Sequence, residues 1–192
     1  MNFPTTILPF VPFILLAVVI IAVIASGYVK APPDTAYIIS GFHKEPRILI
    51  GKAGIKIPFF ERLDTLTLRQ MSIDIKTNGY IPTKDFIGVN IDAVAKVRVL
   101  TENDLKDEEK GITSEMVAAA MKNFLNMSKE QIEQSLQDSL QGNMREIIGT
   151  QELKQLCNDR KAFGDEVQAK AQKDMNALGI WIESCNIQKL ED

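Results

Sequence analysis

No Asp, Glu, Lys or Arg occurs before Lys30 in this chain of 192 residues. A secretory leader carries a basic stretch ahead of its apolar core, and that stretch is missing. Cysteine is scarce: Cys157 and Cys185 lie far apart, with no CxxC or Cys/His spacing. The pair suggests neither a zinc site nor a disulfide framework and suits a reducing compartment. The single histidine, His43, has neighbours that form neither HExxH nor a metal pair, and it reads as a surface or turn residue. There is no basic excess either, since 22 Lys and Arg stand against 25 Asp and Glu, a net charge of −3. Nucleic-acid binders present a basic patch or stripe, so no nucleic-acid partner is expected. No GxSxG elbow occurs, and Gly51-Lys52 lacks the preceding glycine and following hydroxyl of a phosphate-binding loop. The sequence therefore predicts no catalytic residue, no cofactor and no metal site, and the chain reads as a non-enzyme.

Where charge is absent, apolar residues run on. Phe10 to Val29 holds no charged side chain and shows no polar face from Phe13 to Ala25. About 20 apolar residues at 1.5 Å rise are what a helix needs to cross roughly 30 Å of hydrocarbon. A cleaved signal peptide, with Val23-Ile24-Ala25 as its small-residue site, fits poorly because the run is long for such a core. A helix buried in a soluble core fits poorly too, since such helices keep polar interruptions. An uncleaved single-pass membrane anchor over residues 1–30 is the expectation. Its lipid-facing residues would be Phe13, Leu15, Leu16, Val18, Val19, Ile20, Ile21, Val23 and Ile24. Lys30, Lys44, Arg47, Lys52 and Lys56 follow the run, and in a bacterial inner membrane the positive-inside rule puts the body in the cytoplasm.

Beyond the anchor, Ala31-Pro32-Pro33-Asp34 reads as a stiff exit, and residues 37–100 read as β. Short strands are predicted at Tyr37–Ser40, Arg47–Ile50 and Ile55–Pro58, followed by Leu63–Lys76 and a turn at Asn78-Gly79. The clearest strand is Phe86 to Leu100, where Ile87, Val89, Ile91, Ala93, Ala95, Val97 and Val99 fall at every second position. Period two over that length means one buried and one wet face, with a bend expected near Gly88 or Val94. After Leu100 the period becomes helical. Thr113 or Ser114 can cap a helix bearing Met116, Ala120 and Phe124. Ser128-Lys129-Glu130-Gln131 fits a capping box opening a helix with Ile132, Leu136, Leu140 and Met144 inward. A third helix spans about Thr150 to Leu178, broken near Asn158, with Gly179 as its terminating glycine. A closing strand then runs from Ile180 to Leu190. Strands, helices and a last strand make an α+β body, divided as a β-rich lobe over 31–100 and a helical lobe over 101–192. The long strand and the Ser128–Ile148 helix are expected in different lobes.

Several polar features read as structural. Asp107-Glu108-Glu109-Lys110 is a hydrated run, Asp85 and Asp92 are turn and surface residues, and Asn126-Met127-Ser128 is a capping segment rather than a glycosylation acceptor. Trp181, between Ile180 and Ile182, reads as core.

Lys56-Ile57-Pro58-Phe59-Phe60-Glu61-Arg62-Leu63-Asp64, then Leu66-Thr67-Leu68 and Ser72-Ile73-Asp74-Ile75, resembles the first half of the SPFH (band 7, prohibitin-homology) domain. Thr83-Lys84-Asp85 with Val89 to Val97 is similar to that family's central hairpin. Leu140 to Gly149, Asp159-Arg160-Lys161-Ala162-Phe163 and the ending Leu178-Gly179-Ile180 through Asn186-Ile187-Gln188 look flotillin-like. The resemblance covers about residues 31 to 192. It implies two α/β lobes beside a bilayer and a homo-oligomeric scaffold organising membrane microdomains and client membrane proteins. The family continues into a long coiled coil, and this sequence stops at Asp192 before any heptad run, being either naturally short or a fragment. Band 7 relatives also include regulatory subunits of membrane proteases, which is the alternative reading. No juxtamembrane cysteine is available for acylation, so the apolar run itself would be the anchor.

Overall fold

The computed structural model describes residues 11–41, 46–77, 79–106 and 110–191. His43, Asn78 and the acidic residues at 107–109 lie outside the described residues. The chain divides into two compact units, Met1–Thr65 and Leu66–Asp192.

In the first unit, helix α1 (Val11–Ser26) is followed at once by β1 (Tyr28–Lys30). β1 pairs antiparallel with β4 (Ala53–Ile55), with Tyr28 opposite Ile55 and Lys30 opposite Ala53. A second sheet has the order β3-β2-β5, from β2 (Thr35–Ser40), β3 (Arg47–Ile50) and β5 (Arg62–Thr67). Its small core gathers Ala31, Ala36, Ile38 and Ile39, all buried. Ala36 and Ile38 alternate along β2 with the adjacent Ile39 also buried, and Gly51-Lys52 links β3 to β4, which pairs with β1 instead.

The second unit is organised around β8 (Gly88–Val99). On one side it pairs with β6 (Met71–Lys76) and the short β7 (Ile81–Pro82); on the other it pairs with β9 (Ile180–Glu191). All pairs are antiparallel. Met71, Ile73 and Ile75 of β6 are buried with Val89, Ile91, Ala93, Ala95, Val97 and Val99 of β8, while the intervening residues stay partly wet. The β8–β9 register slips between Asp92 and Ala93 and again between Lys96 and Val97, so the expected irregularity falls near Val94 rather than at Gly88.

Helices cover the apolar face. α2 (Ser114–Phe124) is capped by the Thr113 hydroxyl, which accepts from the Met116 N–H at 3.4 Å. α3 (Lys129–Thr150) opens with the anticipated capping box: Gln131 N–H donates to Ser128 Oγ, and Ser128 N–H donates to Gln131 Oε1 at 2.8 Å. Ile132, Leu136, Leu140, Met144, Ile147 and Ile148 of α3 are buried. α4 (Leu153–Asn158) and α5 (Arg160–Leu178) realise the broken third helix, and Gly179 ends α5 at φ 81°. α3 lies along β6 in the same unit as β8. The long strand and this helix are therefore not in different lobes, because burying the i+4 stripe of α3 needs the apolar side of that very sheet.

Helix side chains also occupy the sheet's outer backbone. Gln137, Gln141 and Arg145, one helical turn apart on α3, donate to the carbonyls of Asp74, Lys76 and Thr77. On β9, Gln172 Oε1 accepts from Ile182 N–H at 2.8 Å, while Gln168 and Gln172 donate to the Ile182 and Ile180 carbonyls. Such cover removes two stretches of backbone from edge-to-edge pairing.

Arg98 ties β8 to β9 and to the 3₁₀ turn Glu102–Lys106, at 2.5 Å from Glu183 and 2.8 Å from Asp104. Burial pushes the Asp104 carboxyl upward, but the Thr101 N–H, the Thr101 hydroxyl and Arg98 outweigh it and hold it below the usual carboxylate range. Trp181 is half-buried rather than core, with Lys110 Nζ 5.7 Å from its ring centroid. The reason is its face: Ile180 and Ile182 point inward, so the residue between them points out.

Cys185 lies buried beneath α5, where its carbonyl leaves no room for a Cβ on Gly164. Burial pushes its thiol up to about 11, and the Asp165 charge adds to the shift. At pH 8 that leaves about a hundredfold less thiolate than an ordinary cysteine holds. Thiol titration of the native protein should therefore give one fast equivalent, the exposed Cys157, and a second only on unfolding. Two fast equivalents would mean that α5 does not close over β9.

Candidate functional site

The described residues gather no catalytic constellation, and no group of His, Cys, Asp or Glu among them could hold a metal ion. Asp85 serves its turn: it accepts from Thr83 Oγ1 at 2.6 Å and from Leu153 N–H, and the Thr83 contact foremost holds its carboxyl below the usual range. Asn126 adopts φ 60° in the link between α2 and α3, a conformation asparagine tolerates. A groove of about 480 Å³ beside Asn143, Glu146 and Lys170 is open and lined by charges of both signs. None of these arrangements activates a nucleophile.

What stands out instead is apolar surface on the first unit. Every expected lipid-facing residue, Phe13, Leu15, Leu16, Val18, Val19, Ile20, Ile21, Val23 and Ile24, lies on α1 and is exposed, from 44% at Val23 to 70% at Phe13. An apolar helix exposed all round has no face suited to water.

The helix ends earlier than the sequence suggested. It ends at Ser26, whose hydroxyl donates to the Val23 carbonyl at 2.8 Å, and Gly27 N–H donates to the Val23 and Ile24 carbonyls. The 16 described residues span about 24 Å, short of roughly 30 Å of hydrocarbon. Among the described residues, no helix is long and apolar enough to cross a membrane. The expected transmembrane helix over Phe10–Val29 is corrected accordingly. Residues 28–30 are claimed by pairing with β4: Lys56 N–H donates to the Gly27 carbonyl at 2.8 Å, and a Cβ on Gly27 would collide with the Lys56 carbonyl. Apolar content alone cannot distinguish Tyr28 and Val29 in a ribbon from the last turn of a helix.

The foot of α1 was not legible as a site. Tyr28 (60% exposed) and Ile55 (52%) face each other across the β1–β4 ribbon, and Ile57 (40%) continues the same outward side. A tight turn follows, closed by Glu61 N–H donating to the Ile57 carbonyl at 3.0 Å. The buried Glu61 carboxylate accepts from Ile57 N–H and from Arg47, each at 2.8 Å. Gly41 admits the Phe60 carbonyl where any Cβ would obstruct it. Held this way, Phe59 sits at φ 70° with its side chain fully exposed, and Phe60 is 71% exposed. Left-handed backbone at a bulky residue costs about 1–3 kcal/mol and persists only where the surroundings impose it. The available signal was two adjacent phenylalanines after a proline, a pattern that no single strand face can bury.

Comparison with known proteins follows the fold. Residues 29–192 match the SPFH domain / Band 7 family. Similar proteins include the flotillin-like protein FloT of Bacillus subtilis, 26% identical over the whole of this chain and 38% of its own length. Flotillin-1 of Homo sapiens is 22% identical over 83% of this chain and 35% of its own length, and Flotillin-1 of Carassius auratus is 23% identical over 83% and 36%. This chain thus spans little more than a third of the relatives it matches. Its strands, helices and closing strand, matched almost from end to end by that one family, make it a flotillin-like member of the SPFH domain / Band 7 family.

Proposed function

We propose that this chain is a membrane-anchored, non-enzymatic scaffold of flotillin type, which gathers copies of itself and organises membrane microdomains and client membrane proteins. The observation carrying this reading is α1, a helix apolar on every side and exposed along its length, joined directly to an SPFH body. Burying ten large apolar side chains of α1 in lipid rather than water is strongly favourable, and a sheet and helix body would follow its anchor to the bilayer. Helix α1 would lie with its apolar surface among acyl chains, without having to cross the bilayer. The lysines and arginines after it favour the cytoplasmic side for the body. Anchored copies share a plane, which raises their effective concentration and favours self-association.

The test is extraction of membranes in mild detergent, followed by sizing with light scattering. The expected result is a carbonate-resistant membrane protein that elutes as a large homo-oligomer. Co-elution with a stoichiometric protease would favour the regulatory-subunit alternative. A monodisperse monomer in the soluble fraction would overturn both.

A further inference from the structure

Resting on the scaffold reading but not contained in it, we propose a specific contact by which copies of this chain gather. The Phe86 tip of the β7–β8 hairpin of one copy seats in the groove between α4 and the start of α5 of the next. Both parts belong to the second unit.

The tip is built as a plug. Phe86 N–H donates to the Thr83 carbonyl at 3.0 Å, and Thr83 N–H donates to the Ile87 carbonyl at 2.9 Å. A turn closed in this way puts its last residue in left-handed backbone, where glycine is the usual occupant. Here the position holds Phe86, at φ 62° and 91% exposed. Tyr80, lying against Gly88, is also exposed, as is Ile87. Strained backbone beneath a bulky ring left in solvent points to a use for that ring outside its own chain. The tip is held in place as well. Lys84 N–H donates to the Gln151 carbonyl at 2.9 Å, and Leu153 N–H donates to the Asp85 carboxylate. A preformed plug loses little freedom on docking.

The same sequence supplies the socket, which is why a second copy is the occupant. Leu156, Ala162 and Phe163 line a groove of about 310 Å³, room for an aromatic ring, with the exposed Asp159 and Glu166 beside them. A chain does not fill its own groove: the hairpin is tied to Gln151 at the groove's edge, yet Phe86 stays in solvent. Charge favours the same pairing. Lys84, two residues before Phe86 and 64% exposed, brings a cation toward the carboxylates of the neighbouring groove. One plug and one socket per copy let the contact repeat through an assembly of any size. Three side chains bury far less area than a stable soluble dimer needs, so the contact acts between copies already concentrated in one plane.

The experiment puts the photoreactive p-benzoylphenylalanine at position 86 of the full chain, co-expresses it with a differently tagged copy and irradiates intact membranes. The expected result is a crosslink between the two tags, mapped by mass spectrometry to residues 151–166 of the second copy. A crosslink to lipid, to another protein or to a different segment of the chain would overturn the proposal. Phe86→Gly gives a readout that misfolding cannot mimic, because glycine suits the left-handed position. Its urea midpoint should not fall, while the dissociation constant between detergent-solubilised copies should rise by about tenfold. Ala162→Gln, at an exposed position on α5, crowds the groove and should weaken association in the same way. Mixing the two variants should restore part of the association, since one keeps its plug and the other its socket; no recovery would overturn the pairing. Large homo-oligomers that survive both substitutions unchanged would overturn this contact and leave the scaffold reading standing. A parent chain that stays monomeric in the membrane would overturn both.

Discussion

Val19→Arg should move most of the protein from the membrane pellet to the supernatant. Val19 lies near the middle of α1, half exposed and with no charged neighbour on the helix. On insertion scales each large apolar residue contributes about 0.3–0.6 kcal/mol and a central arginine costs about 2.5–3.5 kcal/mol. Ten such apolar residues on α1 therefore supply a few kcal/mol, which one arginine nearly cancels. The expected change is on the order of a hundredfold in partition. Ser26→Arg is the matched control. At the helix end its side chain reaches the headgroups, so partition should change less than about threefold. If both variants pellet like the parent, α1 does not carry the attachment. The assay is ultracentrifugation of broken cells with immunodetection in both fractions. Because α1 lies in the first unit, the second unit should keep its native circular dichroism in both variants.

The second unit was legible where one period ran unbroken. Alternation along Gly88–Val99, the i+4 stripe from Ile132 to Met144, the Ser128 capping box and Gly179 each follow from a local rule, and each recurs in the structure. Legibility failed where a pattern reports that a face is apolar but not what covers it. Ile55 and Ile57 alternate like core residues, yet they stand exposed beside α1. Met116 was read inward on α2, but Val117 is the buried residue and Met116 is half-covered. A stripe predicted from i+4 spacing can turn by one residue when the helix packs on α5 rather than on a sheet. The Gln137–Gln141–Arg145 row could not be read as edge cover, since polar residues at helical spacing look like any solvated face. Helix α1 shows the same limit at larger scale. Apolar residues continue through Val29, and only pairing with Ala53–Ile55, more than twenty residues away, decides that the helix stops at Ser26.

Gly179→Ala should be the most damaging methyl group that can be added to the second unit. Gly179 terminates α5 with φ 81°, and its own carbonyl accepts from Leu100 N–H at 2.9 Å, holding the end of β8 against the start of β9. A Cβ there would run into the backbone of α2, at the Met116 carbonyl and the Ala120 N–H. Backbone cannot step aside as a flexible side chain does, so α2 would have to lift from α5, loosening Val117, Ala120 and Phe124. Left-handed strain contributes about 1–2 kcal/mol and overpacking about 1–3 kcal/mol, a large share of a typical domain's 5–15 kcal/mol. With a urea slope of about 2 kcal/mol/M, the unfolding midpoint should fall by about 1–2.5 M. Gly142→Ala supplies the opposite sign. It lies inside α3 with nothing within 4 Å of the added Cβ, so the variant should gain about 0.5–1 kcal/mol from helix propensity. Urea unfolding in detergent, followed at 222 nm, measures both. Equal midpoints for the two variants would show that α2 does not pack over the α5–β9 corner, and the arrangement of that corner would have to be redrawn.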